Sequence, residues 1–306
     1  MSEQKGILLV FTTALLSGFA VFLNKFALAT INPTLFTFLK NAIVGILLIG
    51  LILFLKEWKE VRTLSPRKWG QLVLIGLVGG AIPFVLFFQG LAIATAASGA
   101  FIQKTLFLFS SILAVVLLRE KMNLKMVGAA SALLAGNFLL LNISSFTFGE
   151  GEWLILLATL FWALENIISK HALQTLSGNI VGAARMTLGG GFILLYLLYT
   201  GGISGIFSLT ADAWMWVAFT SGMLFLYVYT YYNGLKLVPV SVATSILLLG
   251  SPITLLLSTL VGGTTISLSQ VIGILLVGIG IVLALQAHAH SFPVISPAQL
   301  HTRNES

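Results

Sequence analysis

The sequence lacks cysteine altogether and carries very little charge. Of its 306 residues, 8% are charged and 58% are hydrophobic, whereas a soluble domain carries about 25% charged residues. The absence of cysteine excludes disulfide bonds and thiolate metal sites. No soluble fold of this length can hide so much apolar surface from water, so the surrounding solvent must be lipid.

Acidic residues are scarcer than basic ones, and the formal net charge is +7. In a soluble protein this excess would indicate nucleic acid, but here the basic residues gather in alternate connections, at 56–68, at 119–125 and from Lys236 onward. The first, third, fifth, seventh and ninth connections contain no Lys or Arg. By the positive-inside rule, the chain is predicted to be a multi-pass protein of the cell (plasma or inner) membrane with both termini cytoplasmic. We expect the lipid bilayer and a small-molecule substrate as partners, no nucleic acid, and leave a homodimer open.

Ten apolar segments are long enough to cross a bilayer, which takes about 20 residues. They cover residues 6–29, 35–55, 69–91, 96–118, 124–142, 153–173, 179–199, 214–235, 240–261 and 268–287. The predicted fold class is therefore an all-α polytopic membrane protein with ten transmembrane helices. Pro83 and Pro252 lie inside the third and ninth segments and are expected to kink them.

The second half of the chain repeats the first. Residues 17–28 align with 162–173, and the matched positions include Lys25 with Lys170, Lys40 with Arg185, Gly90 with Gly234 and Gly136 with Gly280. Because each half has five helices, an odd number, the second half enters the membrane from the opposite side. Such inverted-topology repeats are typical of transporters, whose sites lie between the halves near the midplane. We predict repeats at 1–146 and 147–287, followed by a cytoplasmic, disordered tail at 288–306.

Glu165 is the only acidic residue deep inside any of the long apolar segments. On a helix it shares one face with Trp162, Asn166 and Ser169. A charge near mid-bilayer costs roughly 2.5 to 3.5 kcal/mol, so it needs an explanation. Arg185 lies at a matching depth in the next segment and could pair with Glu165 as a structural device. The alternative is that Glu165 binds a substrate amine or cation, or carries a coupling proton.

Basic residues in the first half have no such acid, since Ala20 occupies the position of Glu165. The hypothesis is that a water-filled cavity open to the outside is lined by four residues that meet an anionic substrate group: Lys40, Asn41, Gln103 and Lys104. Lys25 and Lys170 lie near helix ends, where they are expected to snorkel to the interface.

Four tyrosines cluster in the eighth segment. Tyr227, with Trp162, is a candidate to line a site for an aromatic or amphipathic molecule. Tyr231 and Tyr232 are expected to belong to an aromatic belt at the inner interface.

Several short motifs resemble the EamA family of the drug/metabolite transporter superfamily. They are the Asn24-Lys25 ending of the first segment, the stretch Leu117-Leu118-Arg119-Glu120-Lys121 with Leu124 and the 128–136 helix, and Ser251-Pro252 with the 273–280 helix. The resemblance implies an exporter of small metabolites or drugs with a central cavity built largely from the first, third, fourth, sixth, eighth and ninth helices. One departure is that Gly262-Gly263-Thr264 stands where an acidic residue is expected after the ninth helix.

The leading functional hypothesis is a secondary transporter that exports small metabolites, such as amino acids or amphipathic drugs, by alternating access. A passive facilitator for anionic or zwitterionic metabolites is the alternative within transport. No GxxxxGK[ST] loop is present, so ATP does not drive the cycle directly. A membrane-embedded enzyme is the alternative from another class, but it needs paired acids or a His cluster at membrane depth, whereas the histidines lie at a helix end or in the tail. We expect no catalytic residue, no cofactor and no metal site; the His288–His290 pair offers only two ligands.

Overall fold

The computed structural model describes residues 2–94, 96–121, 123–142, 148–263 and 265–289. The predicted boundary between the halves at 146, the tail from His290 onward and the side chain of Lys25 lie outside this description. Two residues of the predicted tail, 288 and 289, are described and complete the last helix, which reaches Ala289.

All regular elements of the described chain are helices. They are α1 (Ser2–Leu28), α2 (Pro33–Phe54), α3 (Trp58–Arg62), α4 (Pro66–Gly80), α5 (Ile82–Ile93), α6 (Ala96–Lys104), α7 (Leu106–Leu118), α8 (Leu124–Leu140), α9 (Glu150–Ala172), α10 (Gly178–Thr200), α11 (Ala211–Leu237), α12 (Val240–Leu247), α13 (Gly250–Gly262) and α14 (Leu268–Ala289), with a 3-10 helix at Gly202–Ser208. In the described residues, nine helical segments are long and apolar enough to cross a bilayer, and Leu124–Leu140 is a shorter apolar helix. The ten predicted segments and the all-helical membrane fold are confirmed.

Three of the ten segments are interrupted. The third divides at Ala81, ahead of Pro83, and the ninth divides after Leu247, ahead of Pro252. Proline lacks the N–H that a continuous helix needs, so these two breaks follow from the sequence. The fourth segment divides at Thr105 without a proline, and that break was not predicted. The alignment that pairs Gly90 with Gly234 also places the breaks of the fourth and ninth segments at equivalent positions.

Helix caps occur at equivalent positions of the two halves. Asn32 accepts hydrogen bonds from the first backbone N–H groups of α2, and Ser177 does the same for α10. At the ends of the fourth and ninth segments, Arg119 and Gly263 both adopt left-handed conformations, with φ of 57° and 65°. These side chains and conformations satisfy backbone groups that helix ends leave unpaired.

The helix contacts are also matched between the halves. The first segment packs on the eighth, and the sixth packs on the third; the first also contacts the ninth, and the sixth contacts the fourth. The second segment packs on the seventh, the fourth on the ninth, and the fifth on the tenth. Exchanging the two halves therefore reproduces the same set of contacts, which is the pattern of a two-repeat membrane protein.

Two pairs of glycines lie at two of these contacts. A Cβ built on Gly90 would lie 2.6 Å from the carbonyl oxygen of Gly151, and one built on Gly234 would lie 3.2 Å from that of Gly6. Lipid is as apolar as a leucine side chain, so helices in a membrane associate by close packing rather than by the hydrophobic effect. These small residues bring the sixth segment against the third and the first against the eighth.

Candidate functional site

Glu165 lies on α9 and is almost fully buried, with 2% of its surface exposed. Its Oε1 accepts hydrogen bonds from Ser169 Oγ at 2.5 Å and from Tyr232 OH at 2.7 Å. Ser169 is one turn further along the same helix face, whereas Tyr232 comes from α11. The other oxygen, Oε2, lies 4.0 Å from Arg185 Nε on α10. The carboxyl group therefore joins three segments of the second half.

Gly79 allows this meeting, because it lies on α4 between the acid and the arginine. A Cβ built there would overlap Glu165 Cγ, and Cδ would be only 2.9 Å away. Its carbonyl oxygen accepts hydrogen bonds from Trp162 Nε1 at 3.1 Å and from Arg185 Nη2 at 3.3 Å. That carbonyl is free to do so because Pro83, four residues later, has no N–H to donate to it. The break in the third segment thus creates a polar acceptor inside the membrane.

Arg185 is incompletely satisfied. Its Nε is buried and has no hydrogen-bond partner within the described residues, although Nη2 is bonded to Gly79. The predicted proximity of Glu165 and Arg185 is present, but the two groups form a long contact rather than a hydrogen-bonded ion pair.

Asn166 forms a second set of contacts beside Glu165. Its Nδ2 donates to Ser110 Oγ on α7 at 3.1 Å, and its Oδ1 accepts from Tyr231 OH at 2.7 Å. Because α7 is the second part of the broken fourth segment, these bonds connect the first half of the chain to α9 and α11. The polar face predicted for α9 is therefore a junction between the two halves.

Aromatic rings enclose these polar groups. Trp162 packs against Phe84 and Phe87, with ring centroids 5.3 and 5.5 Å apart. Tyr227 stacks on Tyr231 at 5.9 Å.

The prediction that Tyr231 and Tyr232 form an interfacial belt is wrong. Tyr231 is 4% exposed and Tyr232 is fully buried, and both hydroxyl groups are bonded to α9. A belt residue must reach the lipid headgroups, whereas these two face the protein interior.

Lys40 and Asn41 are buried in α2, and each has a protein partner. Lys40 Nζ donates to Asn24 Oδ1 at 3.0 Å and lies 4.7 Å from the centre of the Phe36 ring. Asn41 Nδ2 lies 3.5 Å from the carbonyl oxygen of Gly80. The expectation was that Lys40 lacks an acidic partner; the neutral partner Asn24 was not predicted. Asn24 stands at the repeat position of Ser169.

Gln103 and Lys104 lie at the end of α6, next to the break at Thr105. Both side chains are half-buried. Among the described contacts, neither forms a hydrogen bond or an ion pair through its side chain. Lys104 thus lies at a helix interruption without a side-chain partner among the described contacts.

Lys170 has protein acceptors at the end of α11. Its Nζ donates to the carbonyl oxygens of Leu235 and Val238, each at 2.7 Å, and of Lys236 at 3.3 Å. These carbonyls end α11, where helix geometry leaves acceptors unpaired. Within the described residues, no group of three or more acidic or histidine side chains is arranged to hold a metal ion.

Uncharacterized transporters and a solved structure are similar to this chain. The chain is 24% identical over 225 residues to an uncharacterized transporter of Methanothermobacter thermautotrophicus, a match that covers 66% of this chain and 63% of that protein. It is 22% identical over 283 residues to the uncharacterized transporter YyaM of Bacillus subtilis, covering 88% and 92% of the two chains. A solved structure titled "Crystal structure of protein" shares the fold, with a TM-score of 0.76 at 20% identity over 92% of this chain and 98% of that one.

The model of the EamA-like transporter family matches twice, at residues 4–142 and 149–286. The two matches account for nearly the whole chain, one in each half. This multi-pass protein is therefore embedded in a membrane and moves a small-molecule substrate. The chain belongs to the EamA-like transporter family.

Proposed function

We propose that the protein is a secondary transporter that exports small zwitterionic or amphipathic metabolites, such as amino acids, by alternating access. The observation that carries the proposal is the buried contact network of Glu165, which joins α9 to α10 and α11 beside the Asn166 bonds to α7. Beside Glu165, Asn166 bonds Ser110 of the first half. Trp162 and Arg185 both bond the Gly79 carbonyl of the first half. These contacts change whenever one half of the chain, 1–146, moves against the other, 147–287. The central cavity is the space between these halves.

We assign to Glu165 the role of binding a substrate amine or of carrying a coupling proton. A carboxylate kept only for structure is expected to share a charge-assisted hydrogen bond of about 2.7–2.9 Å with its arginine, and here the contact is 4.0 Å. Oε1 is held by two hydroxyl groups, so Oε2 is the oxygen that can accept a new donor. An amine or a proton arriving there competes with Arg185 alone.

Lys104 is assigned to the anionic group of the substrate. Its ammonium group lies where α6 ends and α7 begins, and the N-terminus of α7 adds the positive end of a helix dipole. Gln103 stands beside it with both a donor and an acceptor. Lys40 and Asn41 contribute less directly to binding of the anionic group, because both contact protein groups instead. Trp162 and Tyr227 supply aromatic surface for the apolar part of an amphipathic molecule.

Topology follows from the charges of the loops. We place the connections rich in Lys and Arg in the cytoplasm, and with them both termini, by the positive-inside rule. Export then means movement from the basic face to the face that carries Glu150 and Asp212.

The test is transport into and out of proteoliposomes, with labelled amino acids, organic cations and phosphorylated sugars, with and without an imposed proton gradient. A secondary transporter accumulates its substrate against a concentration gradient only when the proton gradient is present. A passive facilitator equilibrates its substrate at the same final level in both conditions. The Lys104→Gln variant should no longer transport substrates that carry an anionic group. Lys59→Gln, at an exposed position of the basic 56–68 connection, serves as the matched control.

A further inference from the structure

The fourth and the ninth segments each begin with a short helix whose first turn contacts a carboxylate from another segment. These short helices are α6, which begins at Ala96, and α12, which begins at Val240. The fourth segment starts on one face of the membrane and the ninth starts on the other, because the chain crosses the membrane an odd number of times, five, between the two starts. The two carboxylates therefore lie on opposite faces.

At the basic face the carboxylate belongs to Glu120, which follows α7. It accepts hydrogen bonds from the backbone N–H groups of Val240 at 2.7 Å and Ser241 at 3.3 Å, and from Ser241 Oγ at 2.5 Å. The left-handed conformation of Arg119 turns the chain so that Glu120 leaves the helix axis. The end of the fourth segment is in this way attached to the start of the ninth.

At the opposite face the equivalent acid is missing, since Gly263 is followed by threonine in the sequence. There the carboxylate comes from Glu152, in the first turn of α9. Its Oε1 accepts from Ser98 Oγ on α6 at 2.7 Å, and its Oε2 accepts from the Gly149 N–H at 3.1 Å. Ser98 is 1% exposed and Glu152 is 5% exposed. The start of the fourth segment is therefore attached to the sixth segment instead of to the end of the ninth.

A cavity of about 490 Å³ lies at the basic face, against the Glu120 contact. Its walls include Glu120, Ser241 and Val242 together with Lys170. Any solute that enters from this face meets the first turn of α12 while Glu120 still holds it. The Glu120 contact therefore forms part of the cavity wall.

We propose that the contact of Glu120 with α12 keeps the basic face of the transporter closed, and that the contact of Glu152 with α6 keeps the opposite face closed. These two contacts are called the latches. The proposal rests on the proposed alternating-access function. Release of Glu120 from Ser241 opens the basic face, and release of Glu152 from Ser98 opens the opposite face. Transport requires the two latches to open in turn, since simultaneous release would leave a continuous path.

The absence of cysteine makes this directly measurable, because a single introduced cysteine is the only thiol in the chain. Ser245→Cys reports on α12 and Ile102→Cys reports on α6; both positions are buried, and each lies one turn beyond the latched serine. The reagent is a membrane-impermeant maleimide, added separately to each face of oriented vesicles.

Glu120→Gln is expected to raise the labelling rate of the residue 245 thiol from the basic face at least about tenfold, the scale expected for losing a hydrogen bond to a charged group. It should leave the residue 102 thiol unchanged. Glu152→Gln should do the reverse from the other face. Ser241→Ala leaves two backbone donors to Glu120 and should give a smaller change than Glu120→Gln. Ser98→Ala removes the hydroxyl that bonds Glu152 to α6 and should give a change as large as Glu152→Gln.

Glu57→Gln and Glu150→Gln are the matched controls. Glu57 accepts hydrogen bonds from Ser177 and Asn179, so its loss also breaks carboxylate contacts between segments, but none to a broken segment. The latch proposal is overturned if Glu120→Gln and Glu152→Gln leave labelling unchanged, or if either opens both faces equally. Labelling needs no transported substrate, so this outcome is separate from failure of the transport proposal.

Discussion

Arg185 Nε lies 4.0 Å from Glu165 Oε2, so two opposite charges face each other inside the membrane without sharing a hydrogen bond. Two hydroxyl groups, from Ser169 and Tyr232, hold the other carboxyl oxygen instead. One carboxyl oxygen of Glu165 is thus hydrogen-bonded to protein hydroxyl groups, and the other faces the Arg185 guanidinium without a hydrogen bond. This division of roles between the two oxygens leads to the first two predictions.

Removing the hydroxyl group of Tyr232 should impair transport more than folding. In Tyr232→Phe the Oε1 atom loses a 2.7 Å donor, and hydrogen bonds to charged groups are worth about 1.5–3 kcal/mol. We expect the apparent KM of the transported substrate to rise about tenfold. Tyr229→Phe is the control, because the Tyr229 hydroxyl forms no hydrogen bond among the described contacts. Equal KM values for Tyr232→Phe and the wild type would refute the assignment.

A double-mutant cycle should find only weak coupling between Glu165 and Arg185. The variants are Glu165→Gln, Arg185→Gln and their combination, and the quantity measured is the free energy of unfolding in mixed micelles. At 4.0 Å we expect a coupling of about 0.6–1.7 kcal/mol, the range measured for polar pairs in membranes. Breaking a tight buried ion pair costs about 3–5 kcal/mol, so a coupling of that size would show that the pair is structural.

A methyl group at Gly79 should displace Glu165. The added Cβ of Gly79→Ala would overlap the Glu165 side chain, and overpacking of this kind costs about 1–3 kcal/mol. Gly50→Ala is the matched control, since a Cβ there has no neighbour within 4 Å, and removal of a helical glycine should stabilise the protein slightly. Thermal unfolding in detergent compares the two. If both variants melt alike, Gly79 does not control the position of the acid.

Replacing Lys170 should loosen the end of α11. The Lys170→Met variant keeps the apolar stem but loses the donors to Leu235, Lys236 and Val238. We expect a loss of about 1.5 kcal/mol and faster hydrogen exchange at the junction of α11 and α12. Lys121→Met, at an exposed position on the same face, should change neither. An unaltered exchange rate in Lys170→Met would mean that water satisfies these carbonyls equally well.

The ten segments were predictable because each is a long apolar run, and two of the breaks were predictable because proline follows them. The break at Thr105 was not, since no residue near it forbids a helix. The direction in which the tyrosines of α11 face could not be predicted either. Depth in the membrane favoured an interfacial role for Tyr232, but depth does not tell which face of a helix meets another helix.

The site was predicted in part, and the missing elements have identifiable signals. The 3.6-residue periodicity brought Glu165, Asn166 and Ser169 together on one face. Pro83 could have shown that the Gly79 carbonyl is free, because the residue four positions before a helical proline loses its donor. The repeat does not show Asn24 as the partner of Lys40, because Ser169, the equivalent of Asn24, bonds Glu165 rather than Arg185. Contacts between distant segments, such as Tyr232 with Glu165, have no signal in a single sequence.

The most direct measurement is gradient-driven transport in proteoliposomes by the wild type, Glu165→Gln and the same-helix control Glu150→Gln. If Glu165 binds the substrate amine or carries the coupling proton, Glu165→Gln abolishes the gradient-driven signal, while Glu150→Gln transports like the wild type. If transport by Glu165→Gln survives with its gradient dependence intact, Glu165 is a structural neighbour of Arg185 and the proposed role is contradicted.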